Sequence, residues 1–287
     1  MNYWTQSPQN IYVAAHRGWS SHYPENTLPA FEKALELGVD QLELDLHMTK
    51  DGQLVLMHDH KLARTTGAEG FVWDYTAEEL KKLDAGSWKD KQFKGLQIPT
   101  FIEFMELVKD HPTITLDVEL KDYPKDRGED AYVSCDKALA IIDQYGFTDR
   151  VVINSWSGKL NDYIFEKYGT KYRQHLYFPV HNMHERTLPD YSYGYCVCMF
   201  HRDGVKGNRG IADLSDCNAM RQLGLRPWAG TAVKNLETLE TAIASEVELI
   251  TCNDVKLILE LLREKGLHKQ TKTALSNQCG FLYAGFT

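Results

Sequence analysis

The sequence predicts an α/β chain closed into a TIM (β/α)8 barrel, somewhat irregular on one side. Short apolar runs alternate with helix-period segments along almost the whole chain, the pattern of repeated β–α units around a parallel sheet. Eight such runs can be counted, the number that closes a barrel. The chain has 287 residues, 43% of them hydrophobic, enough for one large core, and barrels of this class commonly run near ~250 residues. One domain over 1–287 is expected, with residues 60–97 as a small insertion.

Residues 11–15 read as the first strand. Thr27 is expected to cap a helix with Pro29 in its first turn and Leu28, Phe31 and Leu35 at helical spacing, which Gly38 closes. Residues 41–47 form the second strand and 114–120 the third. Later strands are placed at 151–154, 172–178, 195–200, 225–229 and 248–252. Helices fit between most of them, at 130–145, 159–168, 212–223, 236–245 and 255–265. Residues 179–194 hold two prolines and no clear apolar period, so a helix is expected to be missing there. The tail from Gly266 to Thr287 is weakly patterned and receives no role.

Two features interrupt the alternation. Lys50-Asp51-Gly52-Gln53 signals a tight turn, and residues 54–57 can return antiparallel to the second strand. With Asp51-Gly52 as a two-residue turn, Lys50 faces Gln53 and Asp45 faces His58, which makes carboxylate and imidazole neighbours. Residues 60–97, rich in charge and glycine with Trp73 and Trp88, delay the next helix to 100–109. They are expected to form a cap over the barrel mouth, able to exclude water and contact substrate.

The formal net charge of −8 argues against non-specific binding to nucleic acid or anionic membranes, which needs a surplus of Lys and Arg. An anionic substrate must then be held by local positive charge. Met1 to Gln9 carries no basic region leading into an apolar stretch, and no apolar run approaches the ~18 residues of a membrane-spanning helix. No integral membrane association is expected. The cysteines Cys135, Cys196, Cys198, Cys217, Cys252 and Cys279 are scattered through core-like segments, so reduced, buried thiols and a cytoplasmic location are expected. Nothing in the chain assigns an oligomeric state.

Glu43 and Asp45 lie two apart on a strand and point the same way; Glu119 ends the next barrel strand, with Lys121 two further on. Three carboxylates converging in a barrel mouth repel one another unless a cation sits between them. All-oxygen ligation suits one divalent cation, Ca2+ or Mg2+. His16 and His58 sit at the C-terminal ends of apolar runs, where barrel enzymes keep their chemistry. Two imidazoles can divide the tasks of breaking a phosphodiester, a base for the attacking oxygen and an acid for the leaving alkoxide.

Arg17 and Lys121 are the expected phosphate clamps, with neutralisation of neighbouring carboxylates as a compatible second role. Asn26 is assigned to loop ordering, while Glu25 is left between loop, metal and substrate, and Asp59 either orients His58 or faces away. Histidines 47, 60, 111, 175, 181, 184, 201 and 268 are read as structural hydrogen-bonding groups.

The ordered segments His16-Arg17-Gly18, Glu25-Asn26-Thr27, Glu43-x-Asp45, Thr49-x-Asp51-Gly52, His58-Asp59 and Glu119-x-Lys121 resemble the glycerophosphodiester phosphodiesterase family. The insertion is similar too, in Leu62 to Gly67 and Ile98-Pro99-Thr100. The resemblance implies a TIM barrel, a divalent ion at Glu43, Asp45 and Glu119, and acid/base work by His16 and His58. The substrate would be a small glycerophosphodiester, hydrolysed to glycerol 3-phosphate and an alcohol.

The second half departs from the family pattern. Where a Trp-Thr-Val-Asn motif is common, this chain reads Trp228-Ala229-Gly230-Thr231-Ala232-Val233, and its last strand ends in Thr251-Cys252-Asn253-Asp254. Trp228 is a candidate aromatic wall from a shifted position, and Trp156 a candidate for lining the mouth. Two further readings accompany the leading one. A phospholipase D-like or cyclising phosphotransferase acting on lysophospholipids would use the same histidines. A catalytically lapsed binding barrel would have lost a histidine or metal carboxylate, and none is missing.

Overall fold

The structure, a computed structural model, describes residues 3–185, 191–204 and 210–269. Nine strands form one sheet: β1 (Tyr12–His16), β2 (Gln41–Met48), β3 (Leu54–Leu56), β4 (Thr115–Leu120), β5 (Val151–Asn154), β6 (Arg173–Phe178), β7 (Cys196–Met199), β8 (Arg226–Ala229) and β9 (Leu249–Cys252). All but β3 pair in parallel, in the order β1-β2-β4-β5-β6-β7-β8-β9, and β9 pairs back with β1. The eight-stranded TIM barrel that the alternation predicts is therefore closed, and β3 is an added strand on β2.

Alternation along each strand separates two environments. On β2, Leu42, Leu44 and Leu46 belong to the large outer core, with Leu116 and Val118 of β4 and Ile153 of β5. Helices Leu28–Leu37, Phe101–Val108, Glu129–Gln144 and Val255–Glu264 supply its other layer, through Phe31, Phe104, Leu139 and Ile258 among others. The alternate positions, Glu43, Asp45, Asp117 and Glu119, are buried and polar. At the opposite end of the barrel from the strand C-termini, Trp4 stacks 6.4 Å from Trp228 in a cluster with Ala14, Val152 and Leu249 that fills the interior.

The hairpin differs from the expected register by one residue. Leu46 faces Leu56 and Met48 faces Leu54, so Thr49 is opposite Gln53 and Asp45 is opposite Met57, whose N–H donates to Asp45 O at 3.1 Å. The loop is three residues, Lys50-Asp51-Gly52, with Gly52 at φ 76°, the left-handed position such loops require. Thr49 explains the extra residue: its hydroxyl donates to Asp51 Oδ1 at 2.5 Å and accepts the Gln53 N–H at 3.0 Å.

Thr27 stands at the start of the first helix, but its hydroxyl donates to Pro24 O at 2.7 Å instead of capping. Gly38 closes that helix at φ 79°. Thr100 caps Phe101–Val108 through a reciprocal pair with Glu103. Residues 60–97 contain short helices at Ala63–Thr66 and Ala77–Leu80. Leu62, Val72, Leu80 and Ala85 pack with Val55 and Met57 in a small cluster separate from the barrel core. Between β6 and β7, the described residues hold only a 3-10 turn at Val180–Asn182. Cys135, Cys196, Cys198, Cys217 and Cys252 are free and buried; Cys279 and most of the C-terminal tail lie outside the described residues. Among the described residues no helix is long and apolar enough to cross a membrane.

Candidate active site

A cleft of about 1090 Å³ opens at the C-terminal ends of the strands, and His16, Arg17, Glu43, His58, Asp59, Glu119 and Lys121 all line it. This is where a (β/α)8 barrel presents groups from several strands to one space. Asp45 sits just behind them, fully buried. The local chain that delivers Arg17 is unusual: Arg17 has φ 58° and Asn26 φ 56°, a region few non-glycine residues adopt. The Arg17 N–H donates to Glu43 O at 2.9 Å, and the Asn26 N–H to Arg17 O at 3.1 Å. Asn26 Nδ2 also donates to Asp45 Oδ2 at 2.7 Å, which ties the loop to β2. Gly18, at φ 80°, passes so close to Ala30 that a Cβ would lie 2.6 Å from that residue's carbonyl carbon.

Glu43, Asp45 and Glu119 each offer a carboxylate oxygen, all within 4.8 Å of one another. Burial, and then the charge of Asp45, push the Glu43 carboxyl well above its usual range. Burial works the same way on Asp45, but Lys121 and Arg17 outweigh it and hold that carboxyl below its usual range. Asp45 Oδ1 is buried without an aligned hydrogen bond, although Lys121 Nζ stands 3.1 Å away. A set of three hard oxygens with mutual repulsion and an unsatisfied acceptor fits a divalent cation.

Both cations expected to hold phosphate contact these carboxylates. Arg17 Nε lies 3.1 Å from Asp45 Oδ2, and Nη1 donates to Glu25 Oε1 at 2.9 Å. Lys121 Nζ pairs with Glu119 as well as Asp45. Burial opposes the ammonium charge, yet Asp45 and Glu119 raise the Lys121 pKa above its ordinary value.

The two histidines differ in their partners. His16 Nδ1 meets Asn253 Oδ1 at 2.6 Å, and that oxygen also accepts the Ser20 hydroxyl at 3.2 Å. An amide oxygen only accepts, so the His16 N–H is on Nδ1 and Nε2 faces the site, 3.9 Å from Glu43 Oε2. Burial first, and Arg17 second, lower the His16 imidazole to about 3. His58 Nδ1 meets a carboxylate, Asp59 Oδ1, at 2.6 Å, so Asp59 orients its neighbour. Glu25 touches Arg17 and Arg64, which places it in the loop network and away from the acidic trio.

Trp156 lines the cleft, stacked 3.6 Å from the Tyr177 ring. Other placements depart from the sequence reading. Trp228 does not form an aromatic wall: it is fully buried below the cleft, its indole N–H donating to Gln6 Oε1 at 3.0 Å. Its stacking on Trp4, 6.4 Å away, holds it in the barrel interior. His60, His175 and His184, read as structural, line the cleft. Asn253, Asp117 and Asn154 were not singled out at all. The signal for Asp117 is present in the sequence: inward positions 115, 117, 119 and 121 of one strand are all polar.

A closed barrel with an acidic trio, two histidines and two cations at its C-terminal mouth suits the hydrolysis of phosphoric diesters. The chain belongs to the glycerophosphoryl diester phosphodiesterase family, whose model matches residues 16–201. A glycerophosphodiester phosphodiesterase of Caldanaerobacter subterraneus subsp. tengcongensis is 34% identical over 265 residues, 88% of this chain and 98% of the relative. One from Bacillus subtilis is 37% identical over 160 residues, covering 53% of this chain and 54% of the relative. Among solved structures, an Oleispira antarctica phosphodiesterase in complex with the product sn-glycerol-3-phosphate is similar in fold. Its TM-score is 0.74 at 21% identity, covering 88% of this chain and 97% of that one. Hydrolysis of glycerophosphodiesters is the chemistry of the family.

Proposed function

We propose that the protein hydrolyses small glycerophosphodiesters to glycerol 3-phosphate and an alcohol, with one divalent cation, Ca2+ or Mg2+, held by Glu43, Asp45 and Glu119. The observation that carries this reading is the acidic trio beside His16 and His58: Glu43 and Glu119 line the cleft with both histidines, and Asp45 lies directly behind them. The cation supplies charge stabilisation to the phosphoryl oxygens as negative charge grows. Arg17, through its planar guanidinium, and Lys121, as a point charge, bind non-bridging oxygens and exchange part of their present contact with Asp45.

The hydrogen bonds support a division of labour. His16 is held by a neutral amide, with the Nε2 lone pair toward the site, and serves as the base that takes a proton from the attacking water. His58 is oriented by the Asp59 carboxylate at its Nδ1 and serves as the acid that donates to the leaving alkoxide. The insertion, through His60 and Lys61 in the cleft wall, serves as a cap that limits water and contacts the alcohol.

Incubation of the protein with a panel of glycerophosphodiesters and Ca2+ or Mg2+, followed by phosphorus NMR, tests the proposal. The expected product is glycerol 3-phosphate. A persistent cyclic phosphate would replace hydrolysis with internal transfer, and absence of any turnover would overturn the reading.

A further inference from the structure

Residues 85–96 of the insertion close into a compact loop that has no part in the reaction above. Its ends meet where the Ala85 N–H donates to Leu96 O at 2.8 Å, the form of an Ω-loop. Gly86 makes the closure possible, because a Cβ there would stand 1.8 Å from Phe93 O. The Asp84 carboxylate accepts the N–H groups of Gly86 and Ser87, both at 2.9 Å. The loop is seated on the rim of the barrel mouth: Lys89 Nζ donates to Ser20 O at 2.7 Å, and the Phe93 ring lies 5.5 Å from that of Tyr23. The Ser20 hydroxyl in turn shares the Asn253 amide oxygen with His16.

The outward side of this loop combines an exposed ring with unpaired cations. Trp88 is 38% exposed, and its one polar atom is already engaged, the indole N–H donating to Ala85 O at 2.9 Å. What it shows to solvent is therefore hydrocarbon. Lys89 Nζ lies 5.9 Å and Arg64 Cζ 5.7 Å from the ring centroid, and Lys91 and Lys94 are exposed on the same loop. Many lysines on other surfaces are paired, as Lys33 is with Glu36, Lys109 with Glu106 and Lys265 with Glu240. Among the described residues, Lys89, Lys91 and Lys94 have no carboxylate partner, although acidic side chains outnumber basic ones by 40 to 32 in the chain. Asp90, the acid between them, caps the short turn that follows by accepting the Gln92 N–H at 2.9 Å.

An aromatic ring among lysines matches the boundary layer of a bilayer. Aromatic side chains settle there at headgroup depth, and each lysine beside an anionic surface strengthens binding about fivefold. The net charge of −8 repels such a surface at long range, but salt confines that repulsion to about 8 Å, so a loop facing the surface acts through its own charge. Three lysines on one short loop also suit a plane of lipid phosphates better than the extended track of a nucleic-acid backbone. We propose that the 85–96 loop docks the protein on an anionic lipid bilayer, with Trp88 at headgroup depth, Lys89, Lys91 and Lys94 on the lipid phosphates, and the barrel mouth toward the membrane.

Sedimentation with sucrose-loaded vesicles tests this, comparing phosphatidylcholine alone with equal parts of phosphatidylcholine and phosphatidylglycerol. The wild type should partition to the phosphatidylglycerol vesicles at least about tenfold more strongly, and added salt should release it. Lys91→Glu combined with Lys94→Glu should lower that partition by at least about tenfold. Turnover of a water-soluble glycerophosphodiester should stay within about twofold of wild type, since neither lysine lines the cleft. Should that variant fail to fold, Lys91→Gln with Lys94→Gln carries the same comparison. Brominated phosphatidylcholine in the vesicles gives a second readout: it should quench wild-type fluorescence, and most of that quenching should vanish in Trp88→Phe, which keeps an apolar ring and should still bind.

Binding is read without turnover, so its outcome is separate from that of the hydrolase reading. Equal partition on the two kinds of vesicle, binding to neither, or binding that the lysine variants retain would overturn the docking. Quenching that persists in Trp88→Phe would do the same by moving the contact to another face. Tighter binding of a single-stranded oligonucleotide or of polyglutamate than of the anionic vesicles would give the loop a polymeric partner in place of the bilayer.

Discussion

Arg64 grips Glu25 with two guanidinium N–H groups, Nη2 to Oε1 at 2.6 Å and Nη1 to Oε2 at 2.9 Å, while its Nε donates to Asp59 Oδ2 at 2.6 Å. Glu25 in turn holds Arg17, and Asp59 holds His58. Arg64 thereby ties together the loop carrying Arg17, the proposed phosphate clamp, and the loop carrying His58, the proposed acid. Arg64 does not line the cleft, so it acts as a positioning residue. Arg64→Ala should lower kcat about 10- to 100-fold with KM nearly unchanged. Arg64→Lys should recover little, because an ammonium cannot serve three acceptors in one plane. Equal loss in kcat and thermal stability, with full rescue by lysine, would reduce Arg64 to a surface contact.

His16→Ala and His58→Ala should each cut kcat by about 10²- to 10⁴-fold, with the thermal midpoint near that of the wild type, since both side chains face the cleft and support no core. Asn253→Ala should reproduce part of the His16 defect by freeing the ring that its amide oxygen fixes. Steady-state rates on one glycerophosphodiester, beside melting curves, check all three. Near-normal turnover in either histidine variant would force a different assignment of acid and base.

The barrel was legible because strands buried on both faces still alternate here. On β2 the outward Leu42, Leu44 and Leu46 bracket Gln41, Glu43, Asp45 and His47, so the polar interior sharpened a period that an all-apolar barrel strand would blur. The candidate site was legible for the same reason: polar and charged residues at 43, 45, 119 and 121 occupy alternate positions of strands whose other positions are apolar. What escaped depended on side chains reaching across the fold. The hairpin slipped by one residue because the Thr49 hydroxyl stabilises a three-residue loop, which the Asp51-Gly52 dipeptide alone does not disclose. His58 still reaches Asp45's surroundings because β3 ends at Leu56 and the following residues turn into the mouth. Trp228 was misplaced because one position on β8 decides between wall and floor, and Trp4, far off in sequence, claims it for the floor.

Acid should destabilise the fold through His60. Burial first, and His47 next, lower its imidazole to about 4, while its Nε2 meets Lys121 O at 2.9 Å. Below the ordinary histidine value near 6.5 the unfolded chain binds a proton that the folded one refuses, so stability falls as pH drops from about 6.5 toward 4 and is flat above that window. Between pH 7 and 5 the loss assignable to His60 should be on the order of 1–2 kcal/mol. Urea titrations of the wild type and His60→Gln at both pH values isolate it: the variant should show the shallower fall. Parallel pH dependence in the two proteins would mean that His60 is not the group responsible.

Removing divalent ions should weaken the fold as well as stop turnover, because the acidic trio is built around opposing charges. Without a cation, burial first and the charge of Asp45 second oppose the ionisation of Glu43. A cation that binds only the folded state stabilises it by about 2.7 kcal/mol at a hundredfold excess over its dissociation constant. Addition of Ca2+ or Mg2+ to chelated protein should accordingly raise the melting temperature by several degrees, in step with recovered activity. Glu119→Gln should erase most of that rise. In chelator the same variant should melt no lower than the wild type, because it removes one of three mutually repelling charges while Lys121 keeps its pair with Asp45. Turnover and melting temperature that both survive exhaustive chelation would remove the metal from the site and leave Arg17 and Lys121 to balance its carboxylates.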